Sequence, residues 1–107
     1  MYKVTFKPDV YDYLLKYFNK YREYYENLYE DSGIWSENQI IDGYIEESKN
    51  RNIEILDLIE ETLDKENILG RKENNSLIIR WRTKYLFIEF LEDANLKERY
   101  VSSLSIR

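Results

Sequence analysis

A chain of 107 residues with 43% hydrophobic and 35% charged side chains can build one core, not two, and is too apolar to stay disordered. It holds no cysteine and no histidine, which excludes a disulfide framework, a thiolate metal site and the commonest general acid–base group. The net charge of −5 is uneven: residues 1–66 carry 8 Lys/Arg against 16 Asp/Glu, residues 67–107 carry 8 against 5.

Tyr2, Val4 and Phe6 alternate with Lys3 and Thr5, the period of a half-buried strand. Pro8 ends strand pairing and Asp9 can cap the next element. From Val10 to about Tyr29 apolar side chains recur at 10, 14, 17, 21, 24 and 28, with Tyr13, Phe18 and Tyr25 widening the stripe; this predicts a helix. Asp31-Ser32-Gly33 stops it, and Ser36-Glu37-Asn38-Gln39 reads as a capping box opening a second helix. Ile41, Ile45 and Ser48 continue one face, the stretch Asn50-Arg51-Asn52 is polar, and Ile55, Leu56, Ile59 and Leu63 resume the pattern. One long helix or two short ones fit this spacing, and a bend near Asn50 is expected.

After Leu69-Gly70 the period becomes two. Leu77, Ile79 and Trp81 point one way, and Ile78, Arg80 and Arg82 the other. Thr83-Lys84 is the expected turn into a strand over Tyr85–Leu91, and Glu92-Asp93-Ala94-Asn95 the next loop. In Arg99–Arg107, Tyr100, Leu104 and Ile106 are expected opposite Val101 and Ser103. The predicted fold class is α+β: an N-terminal strand, a helical hairpin, then a three- to four-stranded antiparallel meander, all within one domain over residues 1–107. Trp81 shares a face with Leu77 and Ile79 and reads as a core anchor, as does Trp35 before the capping box. Adjacent carboxylates such as Glu46-Glu47 and Glu60-Glu61 diverge by about 100° on a helix and make poor metal or acid–base pairs. No apolar run approaches the length of a signal peptide or membrane span, so a cytoplasmic protein is expected.

This order of elements resembles the RelE/ParE superfamily of bacterial type II toxins. The matching pieces are Tyr2-Lys3-Val4-Thr5-Phe6-Lys7-Pro8, Ile68-Leu69-Gly70-Arg71, the run from Ser76 to Phe87, and the last strand, Tyr100 to Arg107. The resemblance spans nearly the whole chain as a pattern of residue types. It implies the toxin of a toxin–antitoxin system, causing growth inhibition and neutralised by a cognate antitoxin protein, as a homodimer or a heterotetramer with the antitoxin. A ParE-like member acts by binding a macromolecular target of gyrase type and needs no cofactor. A RelE-like member is instead a metal-independent endoribonuclease that cuts mRNA on the ribosome.

In the nuclease alternative, the resemblance assigns Arg82, Arg107 and Lys84 as catalytic residues, since guanidinium forks suit a phosphorane. Binding residues are Arg71, Lys72, Arg80, Arg82 and Tyr85. Arg80 and Arg82, two apart, are expected to place two guanidinium groups on one sheet face, either as an anion site or as ordinary solvated strand residues pairing with the acidic helices. Three features favour the ParE-like reading. The chain given ends at Arg107, without the tyrosine that follows the last strand in RelE-like nucleases. The pI is about 4.8, unfavourable for docking on RNA. The helical part is long for a compact ribosome-dependent toxin. A third reading keeps the acidic, Tyr-rich helices as a nucleic-acid mimic, making the chain a small phage-type inhibitor of a nucleic-acid-binding defence protein.

Overall fold

The computed structural model describes residues 1–30, 37–68 and 75–107. The Gly33 stop, Trp35, Ser36 of the capping box, the Leu69-Gly70 junction, Arg71 and Lys72 lie outside the described residues, as do the side chains at 21, 24, 25, 28 and 41. Strand β1 (Lys3–Phe6) leads into helix α1 (Pro8–Glu30) and helix α2 (Glu37–Leu63); strands β2 (Ser76–Trp81), β3 (Lys84–Asp93) and β4 (Glu98–Ile106) come next. Pro8 begins α1 rather than only ending the strand. The Lys7 carbonyl accepts from the Val10 amide at 2.9 Å, so Lys7 caps the helix and Pro8 sits where a missing N–H costs nothing. Asp9 is therefore in the first turn, where its charge suits the helix N-terminus and pairs with Lys7 at 3.4 Å.

α2 runs without interruption through Asn50, so the sequence forms one long helix rather than two short ones. Arg51 bonds Glu47 at 2.6 Å one turn back, which supports the helix across its most polar stretch. The two helices meet where the Tyr44 hydroxyl donates to the Phe18 carbonyl at 2.9 Å.

The sheet has the order β1-β4-β3-β2. β2, β3 and β4 form the expected antiparallel meander, but β1 pairs with β4 in parallel, so the four-stranded sheet is mixed. Both helices cover one face. Val10, Leu14 and Phe18 from α1 and Ile55, Ile59 and Leu63 from α2 are buried against Leu77, Trp81, Leu86, Ile88, Phe90, Val101, Leu104 and Ile106. Phe18 meets Trp81 edge-on with centroids 6.5 Å apart, which bears out Trp81 as a core anchor. The Tyr13 hydroxyl accepts from the Ile106 amide at 2.8 Å, tying α1 to β4. These buried helical positions lie in the first half of α1 and the second half of α2. Residues 42–50 of α2 have no buried side chain, and the chain measures 57 × 22 × 19 Å, so the hairpin outreaches the sheet.

β4 changes phase partway along. Val101, Leu104 and Ile106 are buried and Tyr100 is not, because the register slips beside Glu89/Phe90: Ser103 faces Glu89, Val101 faces Phe90, and Ser102 is the extra residue. The Ser102 hydroxyl donates to the Glu89 carbonyl at 3.2 Å. This bulge corrects the expected grouping of Tyr100 with Leu104 and Ile106. It also sends Arg99 inward. The β3–β4 loop falls at Ala94–Lys97, later than expected, with the Asp93 carboxylate accepting from the Asn95 and Leu96 amides at 3.0 and 3.1 Å.

Arg99 is the one buried charged residue among those described, 1% exposed. Its Nε donates to Glu92 at 2.8 Å, its Nη1 to the carbonyls of Leu63 (2.6 Å) and Lys65, and its Nη2 to the Glu66 carbonyl at 3.3 Å. The guanidinium therefore caps the C-terminus of α2, where carbonyls lack helical partners and the dipole is negative. Its carbon lies 3.6 Å from the centroid of the Tyr2 ring, and the Tyr2 amide donates to the Asp64 carbonyl at 2.9 Å. One side chain thus joins α2 to β3, to β4 and to the residue before β1. Nearby, exposed Glu66 accepts from Lys97 at 3.1 Å, and that bond holds its carboxyl below the usual range. Replacing Arg99 with Met strands Glu92 and three carbonyls in a dry site. The expected loss in urea unfolding is about 3–5 kcal/mol, with Arg99→Lys intermediate; a loss under about 1 kcal/mol contradicts this role.

Candidate functional site

With the helices on one face, the other face of the sheet is covered by no described element. Strand alternation and register order that face into rows. Arg80, Tyr85 and Arg107 form the row at one end: Arg80 is opposite Tyr85 across β2–β3, and Tyr85 exchanges backbone hydrogen bonds with Arg107 at 2.8 and 2.9 Å. All three residues are exposed. Behind them come Ile78, Phe87 and Ser105, then Ser76, Glu89 and Ser103. Beyond the bulge lie Leu91, Tyr100 and Thr5, and last Asp93, Glu98 and Lys3.

The Arg107 guanidinium carbon sits 4.5 Å from the centroid of Phe87, and its Nε donates to the Ser105 hydroxyl at 3.3 Å. This positions a cation over an aromatic face and leaves the rest of its donors in solvent. A shallow depression of about 260 Å³ next to it is lined by Ile78, Phe87, Glu89, Ser103 and Ser105. Such a surface can hold an anionic or aromatic group but does not enclose one.

Among the described residues, the other sequence-predicted ones, Arg82 and Lys84, do not join this row. The turn after β2 is Arg82-Thr83, not Thr83-Lys84, because Trp81 pairs with Lys84. Arg82 leaves the strand with φ 54°, a left-handed conformation that disfavours residues with a Cβ. It then turns to α2. Its Nε and Nη2 donate to the two oxygens of Glu54 at 3.2 and 2.9 Å, while Trp81 Nε1 donates to Glu54 at 3.0 Å. The expectation that Arg80 and Arg82 share a sheet face is therefore corrected. The strand ends at Trp81, and a bidentate pair with a helix carboxylate takes Arg82 to the other side. Lys84 is exposed beside Trp81, and by alternation it belongs to the helix-covered face, away from Arg107. Of the three residues assigned to catalysis, Arg82, Lys84 and Arg107, only Arg107 lies on the open face.

Glu54 and Arg99 are two of the interacting residues that sequence reasoning passed over. Trp81 carried a signal for Glu54, since a tryptophan at the inner end of a strand needs an acceptor for its indole N–H. Glu47, in one of the adjacent carboxylate pairs on α2, pairs with Arg51, and among the described residues no group of three potential ligands could hold a metal ion. No helix among them is long and apolar enough to cross a membrane.

The Arg82 hydrogen bonds hold the Glu54 carboxyl below its ordinary value; the Arg82 charge, the Trp81 N–H and the Arg51 charge act in the same direction, against desolvation. A depressed carboxylate stabilises the fold above its unfolded pKa and loses that contribution as pH falls through the folded one. The pair is half-exposed and screened, so Glu54→Gln is expected to cost only about 0.5–1 kcal/mol at pH 7. In thermal melts the gap between wild type and variant should shrink below about pH 4 and close in stronger acid; a gap independent of pH contradicts the ion pair.

No family model matches the chain, and no curated protein and no solved structure matches it.

Proposed function

We propose that this chain is the toxin of a RelE/ParE-type toxin–antitoxin system. It acts in the ParE-like way, by binding a macromolecular target of gyrase type, and is neutralised by a cognate antitoxin. The reading rests on the sequence resemblance together with one observation: the basic residues divide between two faces of the sheet. A metal-free ribonuclease needs a base, a donor for the leaving oxygen and fixed positive charge converging on one phosphate. Arg107 has Arg80 and Tyr85 as row neighbours, while Arg82 is engaged by Glu54 and Lys84 belongs to the opposite face. A flat row of two arginines and a tyrosine suits recognition of a large partner, where Arg and Tyr supply most contact energy. The ribosome-dependent nuclease stands as the alternative outcome of the same experiment.

Induced expression in bacteria is expected to arrest growth and to change plasmid supercoiling, without codon-phased breaks in mRNA. Arg80→Ala with Arg107→Ala should weaken the arrest by at least about tenfold in the inducer needed, as expected for loss of two central arginine contacts. Lys84→Ala should leave it unchanged. Codon-phased 5′ ends that vanish in Arg107→Ala establish the nuclease instead, and no arrest at any induction level refutes the toxin reading.

A further inference from the structure

Antiparallel ladders alternate between pairs that exchange hydrogen bonds and pairs that do not, so one bonded pair fixes the direction of every backbone group in a strand. At the start of β2 the Asn75 carbonyl accepts from the Phe90 amide at 3.0 Å, and on β3 Tyr85 exchanges bonds with Arg107. Both observations put Leu77, Ile79 and Trp81 in bonded pairs with β3 and turn the N–H and C=O groups of Ser76, Ile78 and Arg80 outward. β2 is the last strand of the sheet, and among the described residues nothing bonds to these outward groups. Edge strands are usually blunted by proline, by charge, by a bulge or by a covering element. β2 has no proline, pairs with β3 without a bulge, and carries Arg80 as its one charged residue.

A groove of about 400 Å³ adjoins the end of this edge, between Arg80-Trp81-Arg82 and a stripe of α2 at positions 54, 57, 58 and 61. Glu54 is engaged by Arg82 and Trp81. Asp57 and Glu61 are exposed, stand one helical turn apart with like charge, and have no ion-pair partner among the described residues. The two sides of the edge therefore differ in chemistry. The open face offers Ile78 and Arg80, and the helix-covered side offers two unneutralised carboxylates.

We propose that β2 is a docking edge for an extended segment of a partner protein, which adds to the sheet as a fifth strand. Its residue opposite Ile78 is apolar, its residue opposite Arg80 is acidic, and the one between them is basic and reaches Asp57 and Glu61. Strand addition takes affinity from main-chain hydrogen bonds and selectivity from alternate side chains, which point to opposite faces. A segment with its charges in the reverse phase sets acid against α2 and base against Arg80. The inference rests on the edge and the groove and does not depend on the toxin reading.

A blocked peptide, Thr-Thr-Glu-Lys-Ile-Thr-Thr, tests it: antiparallel addition sets its Glu opposite Arg80, its Lys opposite Ile79 and its Ile opposite Ile78. Titrated into the full chain, it is expected to shift the amide NMR signals of Ser76, Ile78 and Arg80, with a Kd below about 1 mM. Methylating the peptide's Glu and Ile amides, which point at β2, should weaken binding at least about tenfold, whereas methylating its Lys amide, which points away, should not. Ile78→Pro removes one outward N–H at an edge position where proline is tolerated, and should weaken binding to a similar extent. Asp57→Lys with Glu61→Lys should weaken this peptide and favour one with Glu in place of Lys, with circular dichroism confirming the fold of each variant. No binding at about 1 mM, equal losses from the two methylation patterns, or indifference to the charge exchange overturns the proposal. So does an edge already closed by a second copy, seen as shifts of Ser76, Ile78 and Arg80 with protein concentration alone. Growth arrest is read in none of these arms, so failure here leaves the proposed target binding standing.

Discussion

A charged guanidinium in a dry core sets the terms for the rest of this fold. Taking a guanidinium out of water costs several kcal/mol unless its donors find acceptors. The acceptors of Arg99 come from distant parts of the chain: a carboxylate from β3 and three carbonyls from the end of α2 and the residues just beyond it, with the Tyr2 ring stacked over the plane. None of these can move far without leaving the charge unmet. The arrangement fixes where α2 ends, which face of β4 is inward there, and where the segment leading into β1 lies. Packing by Val10, Leu14, Ile55 and Ile59 supplies the nonspecific part of stability. The Arg99 cluster adds direction, which apolar contacts lack.

Once the helices are committed to one face, the opposite face stays open, and the candidate site is a product of that asymmetry. Tyr85, Phe87 and Leu91 alternate with Leu86, Ile88 and Phe90 along β3, so one strand serves both a core and a surface with nearly equal apolarity on each side. Arg107 laid over Phe87 keeps a cation on that surface at little entropic cost. At the hairpin, Glu54 draws Arg82 away from it. The two arginines differ in role because one ends a strand and the other occupies a turn.

Local periodicity made most elements legible in the sequence: β1, both helices and the meander follow from apolar spacing alone. Three features were not, and each depends on something nonlocal or on a single inserted residue. The phase of β4 was hidden because Ser102 adds one residue to a two-residue period, which inverts the reading of Arg99 and Val101. With that bulge known, Arg99 falls into line with Val101 as an inward residue. Parallel pairing of β1 with β4 joins strands about ninety residues apart, and no local pattern encodes it. The departure of Arg82 from the strand needed the position of Glu54, 28 residues earlier and on another element. Of the candidate site, Arg80, Tyr85 and Arg107 came together as strand alternation implies. Arg82 and Lys84 did not, since spacing of two carries a side chain to the same face only while the strand continues.

The Arg99 guanidinium makes four hydrogen bonds and is shielded from water, and nitrogen-15 NMR reads that state directly. At neutral pH and 25 °C, exposed arginines give Nη–H signals averaged by rotation and exchange with solvent. Arg99 is predicted to show separate, slowly exchanging Nη–H resonances and a protected Nε–H, all lost when Arg99 is replaced by Met. A single averaged, rapidly exchanging guanidinium signal for Arg99 would contradict the buried cap and the architecture built on it.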